Sequence, residues 1–145
     1  MEISFYEIIS ENLVPSLVRL LAKVYASGQR CVFYSPNDDF VKVVDKALWT
    51  FSTKEFIPHG DAELGFENLQ PIYFTSQWKN PNNAVVLVTD TFDFEKYHDM
   101  EKVLVFFEDN SEKKIETAKS LIDRLKSEKN NVNYWKQSSK GWTKI

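Results

Sequence analysis

Two hydrophobic periods alternate along this chain, and they mark out strands and helices. Short runs of apolar, β-branched and aromatic residues are typical of strands. The predicted strands are 3–8, 30–35, 71–75, 84–90 and 102–109. Apolar residues at i, i+3 and i+4 spacing are typical of helices. The predicted helices carry their apolar stripes from Val14 to Tyr25, from Phe40 to Leu48 and from Ile115 to Leu125.

Cap residues predict where these helices begin and end. Gly28 follows the first apolar stripe and suits a helix C-terminus. Ser35 predicts the N-cap of the second helix, with Pro36 at its first helical position. Asp109, followed three residues later by Glu112, resembles a capping box and predicts the start of the third helix.

The order of these elements predicts an α/β fold. Strands that alternate with helices favour a largely parallel sheet with helices on both faces, a doubly wound, Rossmann-like architecture. No linker-like segment interrupts the pattern, so we expect residues 1–145 to form a single domain. The last part, from about residue 130 to 145, is polar and is predicted as a C-terminal tail.

Composition narrows the functional class. The formal net charge of −3 and the pI near 5.4 disfavour a protein whose main task is to grip bare nucleic acid, although a local basic patch remains compatible with them. The single cysteine, Cys31, excludes an internal disulfide. The chain has no apolar run near the length of a membrane span, and its first residues are too acidic for a signal peptide. We therefore expect a cytoplasmic protein without a membrane interaction.

Signatures of catalysis are weak. Neither GxxxxGK[ST] nor GxGxxG occurs, so the predicted sheet has no recognisable phosphate-binding loop. His59 and His98 are far apart in sequence and match no metal-ligand spacing. We expect no catalytic residue, metal site or cofactor. The alternative is a small hydrolase or nucleotide-binding protein that uses His98 and the acids at the end of the strand predicted at 84–90, which are Asp90, Asp93 and Glu95.

Two other segments could bind a partner protein. The first is an aromatic segment that follows the second predicted helix and contains Trp49, Phe51, Phe56, Ile57 and Pro58. Its side chains could fold back onto the sheet as core, or they could anchor a partner, and composition favours neither. The second is the last predicted helix, where Lys and Arg outnumber the acids. Its cations could be a solvated face, or they could receive an acidic peptide that ends in hydrophobic residues.

The sequence resembles the chi subunit family of bacterial DNA polymerase III. The resemblance rests on Phe5 and Tyr6 in the first strand, on SGQRCVFYS at 27–35, and most of all on DKALWTFSTKEFIPHG at 45–60. That last stretch carries the family's LW…F-x-PH unit. The segments PIYFT and NNAVVLV continue the pattern, and a basic helix with a tryptophan-containing tail closes the chain.

The resemblance implies a non-catalytic adaptor of α/β fold that acts in DNA replication. Chi proteins bind the psi subunit of the clamp loader, and we expect a monomer that binds psi 1:1. Trp49 and Phe56 match the family's aromatic positions in the psi-binding surface, and Phe51, Ile57 and Pro58 lie in the same segment. An adaptor for a repair helicase, bound at this surface in place of psi, is an alternative.

The resemblance also implies a second partner, the acidic C-terminal tail of single-stranded DNA-binding protein. DNA would then be contacted indirectly, through that protein. The positions that match the family's tail-binding residues are Lys119, Ile122, Arg124 and Lys126. Here the family's arginine-rich pattern is replaced at 118–126, and Ile122 and Asp123 depart from the aromatic and basic residues expected there.

Overall fold

The described part of the chain, in a computed structural model, comprises residues 1–51, 58–61 and 63–145. These residues form one sheet of eight strands in the order β3-β4-β2-β5-β6-β1-β7-β8. The strands are β1 (Glu2–Ile8), β2 (Cys31–Tyr34), β3 (His59–Gly60), β4 (Ile72–Thr75), β5 (Val86–Thr89), β6 (Lys102–Glu108), β7 (Asn131–Ser138) and β8 (Gly141–Lys144). The helices are α1 (Leu13–Ala26), α2 (Asp38–Trp49) and α3 (Glu112–Ser127). Short 3₁₀ turns occupy Ser10–Asn12, Glu67–Leu69 and Phe94–Tyr97.

The predicted fold class is confirmed. Every neighbouring pair of strands in the sheet is parallel except β7 and β8, which are antiparallel. Helices α1 and α2 cover one side of the sheet, here called the first face, and α3 with the Phe94–Tyr97 turn covers the other, the second face. Consecutive strand residues therefore enter different cores: Cys31 and Phe33 pack on the first face, whereas Val32 packs on the second.

Three helix ends show how the cap predictions compare with the structure. Gly28 adopts a positive φ of 81° and its N–H donates to the carbonyl of Tyr25, which is the predicted C-terminal stop of α1. The predicted N-cap at Ser35 is wrong, because Asn37 precedes α2 and its Oδ1 accepts from the N–H of Phe40. Asp109 does not begin α3 either: its carboxylate accepts from the N–H and Oγ of Ser10.

The predicted polar tail is a β-hairpin. Residues 131–138 form β7 beside β1, and 141–144 form β8 at the edge. Val132 and Tyr134 point into the second-face core, while their neighbours in sequence are polar or half-buried. The core residues of β7 therefore occupy alternate positions between polar ones, and this low apolar content is why the sequence predicted a polar tail. The two-residue β3 also went unrecognised, because it is too short to show a period.

A buried polar pair joins β1 to β7. The Oη of Tyr134 donates to Oε1 of Glu7, and both side chains lie within the sheet's second face. Lys136 Nζ lies 3.7 Å from the other carboxylate oxygen. Burial, followed by the hydrogen bond to the Glu7 carboxylate, raises the pKa of Tyr134 well above its ordinary range. The hydroxyl thus remains a donor to Glu7 throughout the neutral range.

We expect Tyr134→Phe to lower the free energy of unfolding by roughly 1.5–3 kcal/mol, because the buried Glu7 carboxylate loses a donor while the ring packing is retained. Denaturant-induced unfolding at neutral pH measures the change. Tyr25→Phe is the matched control, since Tyr25 is 36% exposed and its substitution should cost less than about 0.5 kcal/mol. Equal effects of the two variants would show that the Glu7 pair contributes nothing to stability.

Candidate interaction surfaces

Helix α2 ends in exposed aromatic residues. Leu48 is buried against the sheet, but Trp49, the next residue, is 43% exposed, and Phe51 is exposed to the same extent. Pro58 is half-buried. Phe56 and Ile57, which the sequence also places in this aromatic surface, lie outside the described residues. Two of the predicted side chains are therefore at the protein surface rather than in the core.

His59 holds the Trp49 ring at the edge of the sheet. The imidazole is 2% exposed, and its Nε2 lies 3.0 Å from Oδ1 of Asp45 on α2. Its ring centroid is 4.2 Å from that of Trp49 and 5.5 Å from that of Phe74. The indole thus packs against a buried ring that is tilted by 47° to it, and the His59–Asp45 pair joins β3 to α2. His59 is a structural residue that orients Trp49.

More apolar side chains lie exposed in this part of the molecule than the sequence predicted. Leu64, Phe66 and Leu69 are 51%, 73% and 62% exposed, in the segment between β3 and β4. Glycine at position 60 lets this segment pack close to β3, because a Cβ there would lie only 2.5 Å from Cδ2 of Leu64. The sequence contains an indication of this exposure, because the three residues lie in a glycine-containing segment whose apolar positions follow neither the strand nor the helix period. Large apolar side chains left exposed close together in sequence are candidates for an interaction surface.

The predicted tail-binding residues divide between two sides of α3. At about 100° per residue, Lys119, Ile122 and Lys126 fall within roughly 60° of one another around the helix axis, and we call them the basic face. Arg124 points about 140° away from Lys119 on this geometry. Lys119, Lys126 and Arg124 are exposed, and Ile122 is half-buried against the second-face core. The structure therefore groups three of the four residues.

Contacts of the cations agree with this division. Lys119 Nζ lies 5.6 Å from the ring centroid of Tyr134, so it leans over the sheet beside Ile122. Arg124 Nε lies 3.8 Å from Oε1 of Glu128 in an exposed pair along the helix. Asp123 is four residues after Lys119 and so adjoins the basic face, which reduces its positive charge.

His98 of the enzyme alternative is exposed, and the single cysteine of the chain is buried. The His98 side chain is 74% exposed, with Nε2 3.4 Å from Asp99 Oδ1. Cys31 is fully buried in β2, and burial raises the pKa of its thiol far above the ordinary range. Across residues 1–51, 58–61 and 63–145, no group of three or more His, Cys, Asp or Glu side chains is arranged to hold a metal ion.

Asp90, an acid of the enzyme alternative, follows directly on β5 at its carboxyl end. Its Oδ2 accepts from Oγ of Ser35 at 3.0 Å, and its Oδ1 is buried with no hydrogen-bond partner among the described residues. Burial raises the pKa of Asp90 above its ordinary value of 3.8, while the Ser35 hydroxyl and the Lys114 charge oppose that rise. A small pocket of about 150 Å³ lies beside Asp90 and Lys114.

We expect Asp90→Asn to be more stable than the wild type at neutral pH. A carboxyl whose folded pKa is raised favours the protonated state, so its contribution to stability is fully present below 3.8 and is lost as pH rises through the folded pKa. Asparagine does not ionise, so the variant avoids the loss of stability that the wild type undergoes when the Asp90 carboxyl becomes charged. The difference between variant and wild type should shrink as pH falls through the raised folded pKa of Asp90 towards 3.8, and it should change no further below 3.8. Thermal unfolding across a pH series measures it.

Asp93→Asn is the control for this series, because Asp93 is exposed and its substitution should change stability little at any pH. An Asp90→Asn variant that is less stable than the wild type at neutral pH would contradict the expectation. It would mean that attraction to Lys114 outweighs the cost of burial.

These features define a class of protein, a small doubly wound α/β protein with an exposed aromatic helix end on one side of its sheet and a basic helix on the other. In the described ranges, no helix combines the length and apolarity that crossing a membrane requires. Residues 1–131 match the family model described as DNA polymerase III chi subunit, HolC.

A curated relative extends this match. The "Probable DNA polymerase III subunit chi" of Rickettsia prowazekii (strain Madrid E) is 31% identical over 155 aligned residues, which cover 99% of this chain and 92% of that protein. The chain belongs to the DNA polymerase III chi subunit family, and the resemblance seen in the sequence is confirmed. Membership makes it a subunit of that polymerase, with a role in DNA replication.

Proposed function

We propose that this protein is a non-catalytic accessory subunit that bridges the psi subunit of the clamp loader to the C-terminal tail of single-stranded DNA-binding protein. The observation that carries the proposal is the separation of two candidate surfaces. Trp49 lies at the end of α2, on the first face, beside β3 at one edge of the sheet. The basic face belongs to α3, which packs on the second face near β7, towards the other edge.

The aromatic surface (Trp49, Phe51, Phe56, Ile57 and Pro58) suits the psi subunit. An exposed indole supported by a buried ring is a rigid anchor that loses little side-chain entropy when a partner covers it. The exposed Leu64, Phe66 and Leu69 would enlarge the contact area. Psi binding here would leave α3 free for a second partner.

The basic face suits an acidic peptide with a hydrophobic end. Lys119 and Lys126 would attract the carboxylates, and half-buried Ile122 would receive an apolar side chain. Arg124 on the solvent side of α3 would add longer-range attraction.

Trp49→Ala should weaken psi binding at least ~20-fold, because losing a central aromatic anchor typically costs about 2 kcal/mol or more. Isothermal titration calorimetry with purified psi measures the change. Trp142→Ala is a closely matched control: Trp142 is 41% exposed against 43% for Trp49, and it also packs against another ring, that of Tyr6. Tail binding should stay unchanged in Trp49→Ala. An equal loss of both partners, or no loss of psi, would contradict the assignment of two surfaces.

Lys119→Glu and Lys126→Glu should each weaken binding of a tail peptide roughly fivefold at low salt and make it less dependent on salt. Fluorescence anisotropy of a labelled tail peptide across a salt series gives both quantities. Lys113→Glu is the control, since Lys113 is an exposed α3 lysine about 120° from Lys119 around the axis. If the control weakens binding as much as the two variants do, the tail is held by the overall charge of α3 rather than by the basic face.

A further inference from the structure

A groove opens on the first face where the helices stop covering the sheet. Helices α1 and α2 pack on the β2, β4, β5 and β6 side of that face, and α1 forms one wall of the groove. Its floor is β1 and β7, and β8 provides the far wall. The groove measures about 640 Å³, a volume within the range of small-ligand sites. We call it the sheet groove.

Aromatic side chains from three neighbouring strands line the sheet groove. Tyr6 of β1 stands beside Trp135 of β7 in the strand register, and Trp142 comes from β8. The rings of Tyr6 and Trp142 meet edge to face, with centroids 5.5 Å apart. Trp142 is 41% exposed. An open sheet that presents aromatic rings on adjacent strands is a platform on which unpaired bases can stack.

The charge of the groove is opposite to that of the chain. Arg19 and Lys23 project from α1, and Lys144 from β8, whereas Glu2 is the one carboxylate among the described residues that line it. Three cations and one anion give a local excess of positive charge in a protein whose formal net charge is −3. Lys144 Nζ lies 5.8 Å from the ring centroid of Trp135, so cation and aromatic ring are presented side by side.

The groove is preformed at its α1 end. Gln137 of β7 donates from Nε2 to Oγ of Ser16 on α1 at 2.9 Å, and its Oε1 accepts from the N–H of Ile9 at 3.0 Å. These bonds fix the separation between α1 and β7. Little free energy would therefore be needed to order the groove when a ligand binds.

We propose that the sheet groove binds a short segment of single-stranded DNA directly. Bases would stack on Trp142 and Tyr6, and phosphates would be met by Arg19, Lys23 and Lys144. Single strands present one anionic group for each aromatic base, which matches the pairing of cations and rings in the groove. The chain's place in DNA polymerase III supports this choice over an acidic peptide, because replication exposes single strands.

This inference goes beyond the proposed function, in which DNA is reached through the tail-bearing protein. The groove is also distinct from the two partner surfaces, since it shares no residue with the aromatic surface or the basic face. Trp135, Trp142 and Lys144 come after residue 131, where the match to the family model ends. The site depends on the β7–β8 hairpin of this chain.

Binding of the full-length protein to a fluorescein-labelled oligothymidine of about eight nucleotides tests the proposal by fluorescence anisotropy. We expect a Kd of roughly 10–100 μM at low salt, with a log–log salt slope of about −2 for three phosphate contacts. Trp142→Ala should weaken binding about tenfold or more, whereas Trp49→Ala, with a similarly exposed indole, should leave it unchanged. Arg19→Glu, an exposed change on α1 that leaves the hairpin intact, should weaken binding and flatten the salt slope, unlike Lys113→Glu.

Several outcomes would overturn the proposal. One is the lack of binding at a protein concentration of about 1 mM. Another is equal loss in Trp142→Ala and Trp49→Ala, or in Arg19→Glu and Lys113→Glu, which would place any DNA contact elsewhere. Binding of a glutamate-rich peptide containing tryptophan in a Trp142-dependent manner, without oligothymidine binding, would make the groove a peptide site. Psi and tail binding are measured on the same variants, so failure here is distinguishable from failure of the proposed function.

Discussion

A parallel sheet is stable only when both of its faces are covered, and this constraint organises the rest of the molecule. Among the described residues, three helices and the Phe94–Tyr97 turn pack on a sheet of eight strands, and they do not cover all of it. The central strands β2, β5 and β6 are fully enclosed, and their apolar side chains alternate between two cores. The parts of the sheet that the helices leave uncovered lie towards its edges. The aromatic surface, the basic face and the sheet groove each adjoin an edge of the sheet or the flank of a helix.

The two edges of the sheet are finished in different ways. At one edge, His59 in the short β3 is buried between Trp49, Phe74 and Asp45, which leaves an indole exposed beside a structural clamp. At the other edge, the antiparallel β8 ends the parallel ladder and leaves the sheet groove uncovered between α1 and the hairpin. The buried Glu7–Tyr134 pair fixes β7 against β1 and so supports that second edge.

Much of the candidate site could be predicted, but only as residue types along the chain. Trp49 was recognisable because it falls just after the buried stripe of its helix, and its exposure agrees with that reading. Helical spacing groups Lys119, Ile122 and Lys126 and places Arg124 on another side of α3, whereas only the structure shows that Ile122 packs against the second-face core. Tyr6, Arg19, Trp142 and Lys144 went unrecognised as a set, because they come from three elements distant in sequence.

The sequence by itself determined the α/β class, the helices and most strands, since these depend on local period and on turn residues that a reader can count. It also determined the family, because the LW…F-x-PH unit is contiguous. Tertiary structure alone decided which strands are neighbours, that His59 is buried, and that the polar-looking end of the chain is a hairpin. The reason is that strand pairing and burial depend on long-range contacts, and a half-apolar strand such as β7 is stabilised by its neighbours β1 and β8 rather than by its own composition.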